Sequence, residues 1–473
     1  MKDLREWMSR VEELGELQVL RGVPRELEMG TIAEIVARQK DKPAVLFDDI
    51  PGFPAGRRVL INPIGSRNRL ALSLGLPPQL SPMEMVHEWR RRIKEMQFLP
   101  PRFVDGGPVM ENTAFGEEVD VLQFPAPLWH EKDGGDYIGT GDMVITRGPD
   151  GNWVNVGTYR VMVQDRNHLG IMITPTHHGR WQMDEWFAQG KPAPVAIVVG
   201  MDPLFFLVGT SDVPMGLSEY DYAGAIRGEP VEVIRGAVTG LPIPAHAEIA
   251  LEGFVDPEDL RMEGPFGEYP GYYGIGRPLP TVRVEGLYYR KDPIILGSPP
   301  VKPPEAMELY RNILRISQMW NALEEAGIPD ITGLWGVVPP AFFTAISIRQ
   351  RYPGHAKQAG RMVAQYRVGA TINHFTVVVD EDIDVTDTDE VLWAMCTRVD
   401  PERDIEVLPG STSSPLDPII HPEKRTYPVA AQVVIDATRP YEWRERFPEV
   451  VASSPQLKQQ VLSRWAEALK GII

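Results

Sequence analysis

The chain has 473 residues, 43% hydrophobic and 24% charged, the composition of an ordinary globular protein too long for a single core. Its formal net charge is −17, from 48 Lys and Arg against 65 Asp and Glu, which disfavours nucleic acid and anionic membrane surfaces as partners. An anionic small substrate would need a local cation inside that acidic shell, and the single cysteine, Cys396, excludes an intrachain disulfide.

Leu4, Trp7, Met8, Val11 and Leu14 recur at helical spacing, so the chain opens with an amphipathic helix that stops near Gly15. That opening is charged throughout and is no signal peptide. The most apolar stretch, 195–208, is interrupted by Asp202-Pro203 and is too short to cross a bilayer. The expectation is a cytoplasmic protein with no membrane span. Residues 31–39 read as a second helix and 42–50 and 57–65 as strands, with Ser66 capping a helix that runs to Leu74. This alternation predicts an N-terminal α/β domain over residues 1–112, closing where Pro and Gly break the pattern.

From 113 to 297 helical signals thin out. Short β-type runs at 143–146, 153–163, 170–173, 195–199, 232–236, 247–252 and 281–289 are separated by turn residues, which predicts a mostly antiparallel sheet or barrel. "GSPPVKPPE" (297–305) is a stiff Pro-rich connector. Beyond it βα alternation returns over 298–473, with helices expected at 305–326, 358–365, 389–398 and 455–469 and strands near 334–338 and 374–379. The predicted architecture is α/β, then β-barrel, then α/β.

Most familiar signatures fail. "GTGDMV" (139–144) lacks the third glycine of a dinucleotide fingerprint and lies in the β-rich region; there is no Walker loop and no HExxH. Cys396, on a helix beside Trp393 and Met395, reads as a buried structural thiol rather than a nucleophile. Three stretches of the β-rich region are more informative. "NWVNVGTYR" (152–160) carries Asn155 and Arg160, "TPTHHGR" (174–180) carries His177 and His178, and "GLSEYDYAG" (216–224) places Glu219 at a helix start with Ser218 as cap. Singly, each has a structural explanation: a satisfied turn amide, a loop histidine, and a first-turn acid favoured by the helix dipole. Jointly, an amide oxygen, an imidazole and a carboxylate make a hard, oxygen-rich set suited to Mn²⁺ or Mg²⁺, with open positions for phosphate or water. The odd offset from Asn155 to Arg160 puts them on opposite faces of a regular strand, so an irregularity at Gly157-Thr158 is expected.

"MEGPFGEYPGYYG" (262–274) sets Glu263 and Glu268 around a rigid Gly-Pro-Phe-Gly turn followed by three tyrosines. Burial among Phe266, Tyr269, Tyr272 and Tyr273 would raise the pKa of Glu268 toward that of a neutral-pH proton donor.

With these residues in view, the chain resembles the UbiD family of reversible decarboxylases that use prenylated flavin mononucleotide. The similarity runs from "DLREWMSRVEELGEL" (3–17) through "RYPGHAKQ" (351–358) to "VVVDEDIDVTDTDEVLWAMCTRVDPERD" (377–404). It is most specific at "NVGTYR" (155–160), "SEYDYAGAIRGEPV" (218–231) and "EGPFGEYPGYY" (263–273). The resemblance implies that Asn155, His177 and Glu219 bind a divalent metal, usually Mn²⁺, which bridges to the flavin phosphate. It implies a flavin site lined by Asn155, Val156, Gly157, Thr158, Tyr159, Arg160, Thr176, His177, His178 and Glu219. Arg160, Glu263 and Glu268 would form a catalytic Glu-Arg-Glu network in which Glu268 delivers a proton. A K⁺ ion involving Glu219, cofactor supply by a flavin prenyltransferase, and a homodimer or higher assembly through the C-terminal domain are also implied. In function, the resemblance points to decarboxylation of an aromatic, heteroaromatic or α,β-unsaturated acid, with "DITGLWGVVPPAFF" (330–343) as a candidate pocket lining. Two other readings remain open: a metal-dependent hydrolase or lyase without flavin, and a non-catalytic subunit of a multi-chain decarboxylase.

Overall fold

The computed structural model describes residues 1–39, 42–304, 308–336, 342–367 and 373–470. The opening helix, Leu4–Glu13, buries Leu4, Trp7, Met8 and Val11 and starts at Asp3, whose side chain accepts from the Glu6 amide. Strands, numbered in chain order, follow as β1 (Leu17–Arg21), β2 (Ala44–Asp48) and β3 (Arg58–Ile61), with the helix Glu28–Ala37 between β1 and β2. Ser66 caps the helix Arg67–Leu74 as expected, accepting from the Arg69 amide. The sequence reading passed over β1 and the helix Pro82–Glu95. That helix was announced by Ser81 and Glu84, whose side chains each bond the other's backbone amide in a capping box.

The middle of the chain supplies β4 (Arg102–Phe103), β5 (Asn112–Phe115), β6 (Tyr137–Gly139), β7 (Met143–Arg147), β8 (Val154–Gly157), β9 (Val161–Val163), β10 (His168–Ile171) and β11 (Ala193–Val199). It continues with β12 (Glu232–Arg235), β13 (Pro242–Pro244), β14 (Ile249–Glu263), β15 (Arg277–Tyr289) and β16 (Ile294–Gly297). β16 returns to the first sheet, pairing parallel with β3 in the order β1-β2-β3-β16. The others, apart from a small sheet β13-β12-β4, form a nine-stranded sheet in the order β6-β9-β10-β15-β14-β11-β7-β8, with β5 added on β15.

That order dictates a curled sheet. β6 and β7 stand six places apart, as do β9 and β8, yet each pair is joined by only three residues, 140–142 and 158–160. In a flat sheet six spacings amount to ~29 Å, about twice the ~14 Å that a three-residue link can span. The sheet therefore wraps until its ends nearly meet, and the two short links bridge the seam. The Thr158 hydroxyl donates to the Asp142 carbonyl at 2.9 Å, tying one link to the other. This is the mostly antiparallel barrel expected from the β-rich pattern, split along that seam. Helical content there exceeds expectation: besides Glu219–Arg227, the region holds His178–Phe187 and Pro203–Gly209.

The C-terminal part is a five-stranded sheet, β17 (Ile331–Gly336), β18 (Phe342–Ile348), β19 (Asn373–Asp380), β20 (Ile405–Thr412) and β21 (Val429–Asp436), ordered β17-β18-β19-β21-β20. β18, β19 and β21 run parallel, with the helix His355–Gln365 between β18 and β19. The start of the expected helix 305–326 lies outside the described residues; its described part carries a π-helical turn at Asn312–Ile316. The expected final helix is broken at Trp465. Cys396 corrects the sequence reading, because it is exposed. On its helix the buried face is Val391, Ala394 and Arg398, which turns Cys396 outward. Among the described residues no helix is long and apolar enough to cross a membrane.

Candidate active site

The acidic turn is the connection of the long β14–β15 hairpin. β14 ends at Glu263, fully buried, opposite Arg277 at the start of β15. Gly264 then turns at φ +78°, where a side chain would be strained. The loop beyond it is closed by the Gly274 amide donating to the Phe266 carbonyl at 2.7 Å and the Glu268 amide donating to the Tyr272 carbonyl at 2.9 Å.

Arg160 enters from the second seam link. β8 stops at Gly157 and β9 begins at Val161, so Thr158, Tyr159 and Arg160 belong to neither strand. The odd-offset conflict is resolved there, and all three side chains line one cavity. Arg160 donates from Nε and Nη2 to Glu263 at 2.8 and 2.7 Å, a bidentate fork, and from Nη1 to Glu268. The Tyr137 hydroxyl donates to the same Glu263 carboxylate at 3.2 Å. The Phe266 ring lies beneath the guanidinium at 5.7 Å. The trio expected from the sequence is therefore one contiguous ion-paired unit.

Burial pushes the Glu268 carboxyl up to about 7; Arg160 pulls it down and Glu263 adds to the rise, but desolvation wins. The direction is the one expected, yet its source differs. Tyr272 and Tyr273 are 64% and 39% exposed, so the enclosure comes from Phe266 and the cavity walls rather than from those rings.

The cavity has a volume of about 230 Å³. Its walls include Tyr269, expected from the sequence to enclose Glu268, and Thr140, Met172, Phe206, Arg311 and Leu416, which the sequence did not single out. With Thr158, Tyr159 and Arg160, the lining draws on both seam links, the hairpin and the C-terminal part, a convergence that only the topology reveals. Ser298 and Pro300 also line it, so the connector is part of the wall. The candidate lining at 330–343 fares otherwise. Trp335 is buried in the core, away from the cavity lining, and residues 337–341 lie outside the described residues.

Asn155, His177 and Glu219 surround Tyr159. Asn155, 3% exposed on β8, donates from Nδ2 to the Thr146 hydroxyl at 3.3 Å. The His177 ring meets the Tyr159 ring edge-on at 5.5 Å. Glu219 begins the helix capped by Ser218, as expected, and its carboxylate accepts from the Val156 amide at 2.7 Å. The Thr174 hydroxyl meets His177 at Nδ1, which leaves Nε2 as the free nitrogen. His178 turns elsewhere, packing between Trp153 and Trp181, and neither it nor Thr176 lines the cavity. Among the described residues no three His, Cys, Asp or Glu side chains gather at metal-binding spacing, and this trio supplies two of those types plus an amide. A cation nevertheless fits it. Burial drives the Glu219 carboxyl up to about 8, with no positive side chain among the described residues to offset it, and a bound cation would supply the missing charge.

The comparisons converge on one family. Residues 8–89, 102–303 and 311–437 match the N-terminal, Rift-related and C-terminal domains of 3-octaprenyl-4-hydroxybenzoate carboxy-lyase. The chain is 34% identical to a pyrrole-2-carboxylic acid decarboxylase of Pseudomonas aeruginosa, covering 98% of each chain. Among solved structures it is similar to the vanillic acid decarboxylase of Sedimentibacter hydroxybenzoicus in closed form, with TM-score 0.85, 29% identity and coverage of 100% and 99%. It is also similar to an evolved dimeric form of the UbiD-class enzyme HmfF from Pelotomaculum thermopropionicum in complex with prFMN, with TM-score 0.81, 26% identity and coverage of 97% and 98%.

Proposed function

The chain belongs to the UbiD family of carboxy-lyases, and on that premise we propose that it catalyses the reversible, non-oxidative decarboxylation of an aromatic, heteroaromatic or α,β-unsaturated carboxylic acid. The observation that carries this reading is Arg160 clamped between Glu263 and Glu268, with one of those acids held near neutral pKa beside an apolar cavity. Loss of CO₂ leaves excess electron density on carbon, so the site needs an electron sink and then a proton.

Prenylated FMN, when bound, supplies the electron sink. Asn155, His177 and Glu219 would hold Mn²⁺, whose charge would offset the cofactor's phosphate, with K⁺ near Glu219, and residues 155–160 and His177 would flank the flavin. Arg160 fixes the positions of both carboxylates. Glu268, protonated near neutral pH, gives its proton to the carbon that CO₂ has left. Phe266 and Tyr269 keep water from that carbon. A flavin prenyltransferase would supply the cofactor, and the working form would be a homo-oligomer in the cytoplasm.

The intact Glu-Arg-Glu set argues against a non-catalytic subunit, which would have no need of all three. A flavin-free hydrolase is tested by the visible spectrum of the purified protein, since only the decarboxylase requires bound flavin. The deciding experiment is a screen of carboxylic acids for CO₂ release by protein co-expressed with a flavin prenyltransferase. Release with prenylated cofactor and none with plain FMN is expected; equal activity with plain FMN refutes the reading.

A further inference from the structure

Arg160 is the only charged group of the Glu-Arg-Glu unit that could greet an anion, and it is saturated. Its Nε and Nη2 are both committed to Glu263 and its Nη1 to Glu268. One guanidinium against two carboxylates leaves the unit at −1 with both acids ionised and neutral with Glu268 protonated. A substrate carboxylate approaching a protein of net charge −17 therefore finds no net attraction at the catalytic unit.

The attraction lies at the rim. Arg277, the first residue of β15, is the cross-strand partner of Glu263 and so stands beside the unit. It is exposed, and its Nη2 contacts the sulfur of Met172 at 3.4 Å, a residue of the cavity wall. Among the described residues no carboxylate forms an ion pair with Arg277, whereas most other arginines of the barrel, such as Arg180, Arg261 and Arg283, have one. An arginine that ends on a thioether leaves most of its five donors without a strong acceptor.

Two further cations act on it. Arg180, in the first turn of the helix His178–Phe187, and Arg425, after the turn Pro422–Lys424, both raise the positive potential at Arg277. Arg180 is also held by Asp184 at 2.8 Å, and Arg425 donates weakly to the Ile420 carbonyl at 3.4 Å. Arg425 acts on Glu268 as well, so the same field reaches the proton donor. Desolvation first, and then Arg160, Arg180 and Arg425, lower the pKa of Arg277 against the opposing pull of Glu263, and an incoming carboxylate would relieve that condition.

We propose that Arg277 is the substrate-capture residue: its guanidinium takes the carboxylate of the incoming acid at the rim, within the field of Arg180 and Arg425, and delivers the acid to the cavity beside Arg160. The proposal rests on the carboxylic-acid reading above. It assigns Arg277 to binding and not to chemistry, because Arg277 faces the rim while the proton donor is Glu268. The planar fork suits a carboxylate better than an ammonium does, so lysine would keep the charge and lose the two-point contact.

The test has two arms. With cofactor-loaded holoenzyme, R277Q is expected to raise KM about fivefold with kcat within about twofold, and R277K to fall between it and wild type. Raising ionic strength from about 0.01 M to about 1 M shrinks the screening length from ~30 to ~3 Å. The wild-type kcat/KM should drop over that range, and R277Q should drop less. The second arm is calorimetric binding of benzoate to the flavin-loaded protein, which needs no turnover; R277Q is expected to bind about fivefold more weakly. A protein that releases no CO₂ from any acid yet shows this benzoate difference sinks the functional reading and keeps the capture residue. Unchanged KM, benzoate affinity and salt slope in R277Q overturn the capture role, as does a fall in kcat at constant KM.

Discussion

Gly274 stands so close to Glu268 that a methyl on its α-carbon would lie 2.7 Å from the carboxylate Oε1 and 3.3 Å from Arg160 Nη1. Both groups line the cavity, so the added methyl would push the acid toward it. Gly274 thus sets the limit of how far the acid can swing. Gly274→Ala should displace the Glu268 carboxylate and cost more activity than stability. The expectation is a kcat loss of about 10²-fold, as for other small misplacements of a reacting group. A melting temperature within a few degrees of wild type beside that loss checks it; a variant of normal kcat would show the acid free to move.

Glu219 carries a stability consequence in the cation-free protein. Its folded pKa of about 8 and that of Glu268, about 7, both lie above the usual carboxylate range. A raised carboxylate stabilises the fold fully below its unfolded pKa and loses that contribution as pH rises through the folded value. Cation-free protein should therefore melt at progressively lower temperature as pH climbs from about 5 to about 9. Added Mn²⁺ should flatten the upper part of that decline, since it supplies the charge that Glu219 lacks. A melting temperature that rises over this range would contradict the burial of both acids.

Glu219→Gln removes one anionic donor while keeping size. Cation affinity should fall more than ~10²-fold, and flavin retention with it, because the cation is proposed to offset the charge of the flavin phosphate. Elemental analysis together with the visible spectrum reads both at once. Full metal loading with flavin retained would move Glu219 out of the site.

The sequence disclosed the acidic turn, the cap at Ser218 and the helix it starts because each is written in contiguous residues with a local mechanism. It also disclosed a curled, mostly antiparallel sheet, since turn residues at short intervals leave little else. What it hid depends on topology. Nothing near Thr140 says that residues 140–142 and 158–160 bridge the same seam, and only the strand order brings Leu416, Arg311 and Phe206 to one cavity. The exposure of Tyr272, Tyr273 and Cys396 was misjudged for a related reason. Aromatic or apolar neighbours in sequence do not tell which face of a turn or helix meets the core. His177 and His178 were inseparable until the helix start placed one ring at the cavity and the other between two tryptophans.

The helix Pro82–Glu95 offers a stability test remote from the chemistry. Ser81 and Glu84 satisfy each other's backbone amides, and Met85, Val86 and Trp89 are buried behind them. Ser81→Ala should cost about 1 kcal/mol in denaturant unfolding, with activity unchanged. An unchanged midpoint would mean that packing of Trp89 alone fixes the helix start.

Glu268 bears the sharpest prediction. Its carboxyl is held near 7 by burial, against Arg160, so it is protonated at and below neutral pH and loses its proton above. Proton delivery should therefore fail on the alkaline side, and kcat for decarboxylation should decline as pH rises through about 7. Glu268→Gln keeps size and much of the hydrogen bonding to Arg160 but has no proton to give. A positioned acid contributes roughly 10²–10⁴-fold, and a loss in that range is expected with flavin and metal still bound. Glu268→Asp keeps the acid and withdraws it by one methylene, so it should retain more activity than the glutamine variant. Deuterium from solvent enters the carbon that CO₂ leaves by the same proton transfer, so its incorporation should fall in step with CO₂ release. A glutamine variant within a few-fold of wild type, with its alkaline limb intact, would make Glu263 or a water molecule the donor and leave Glu268 as an anchor for Arg160.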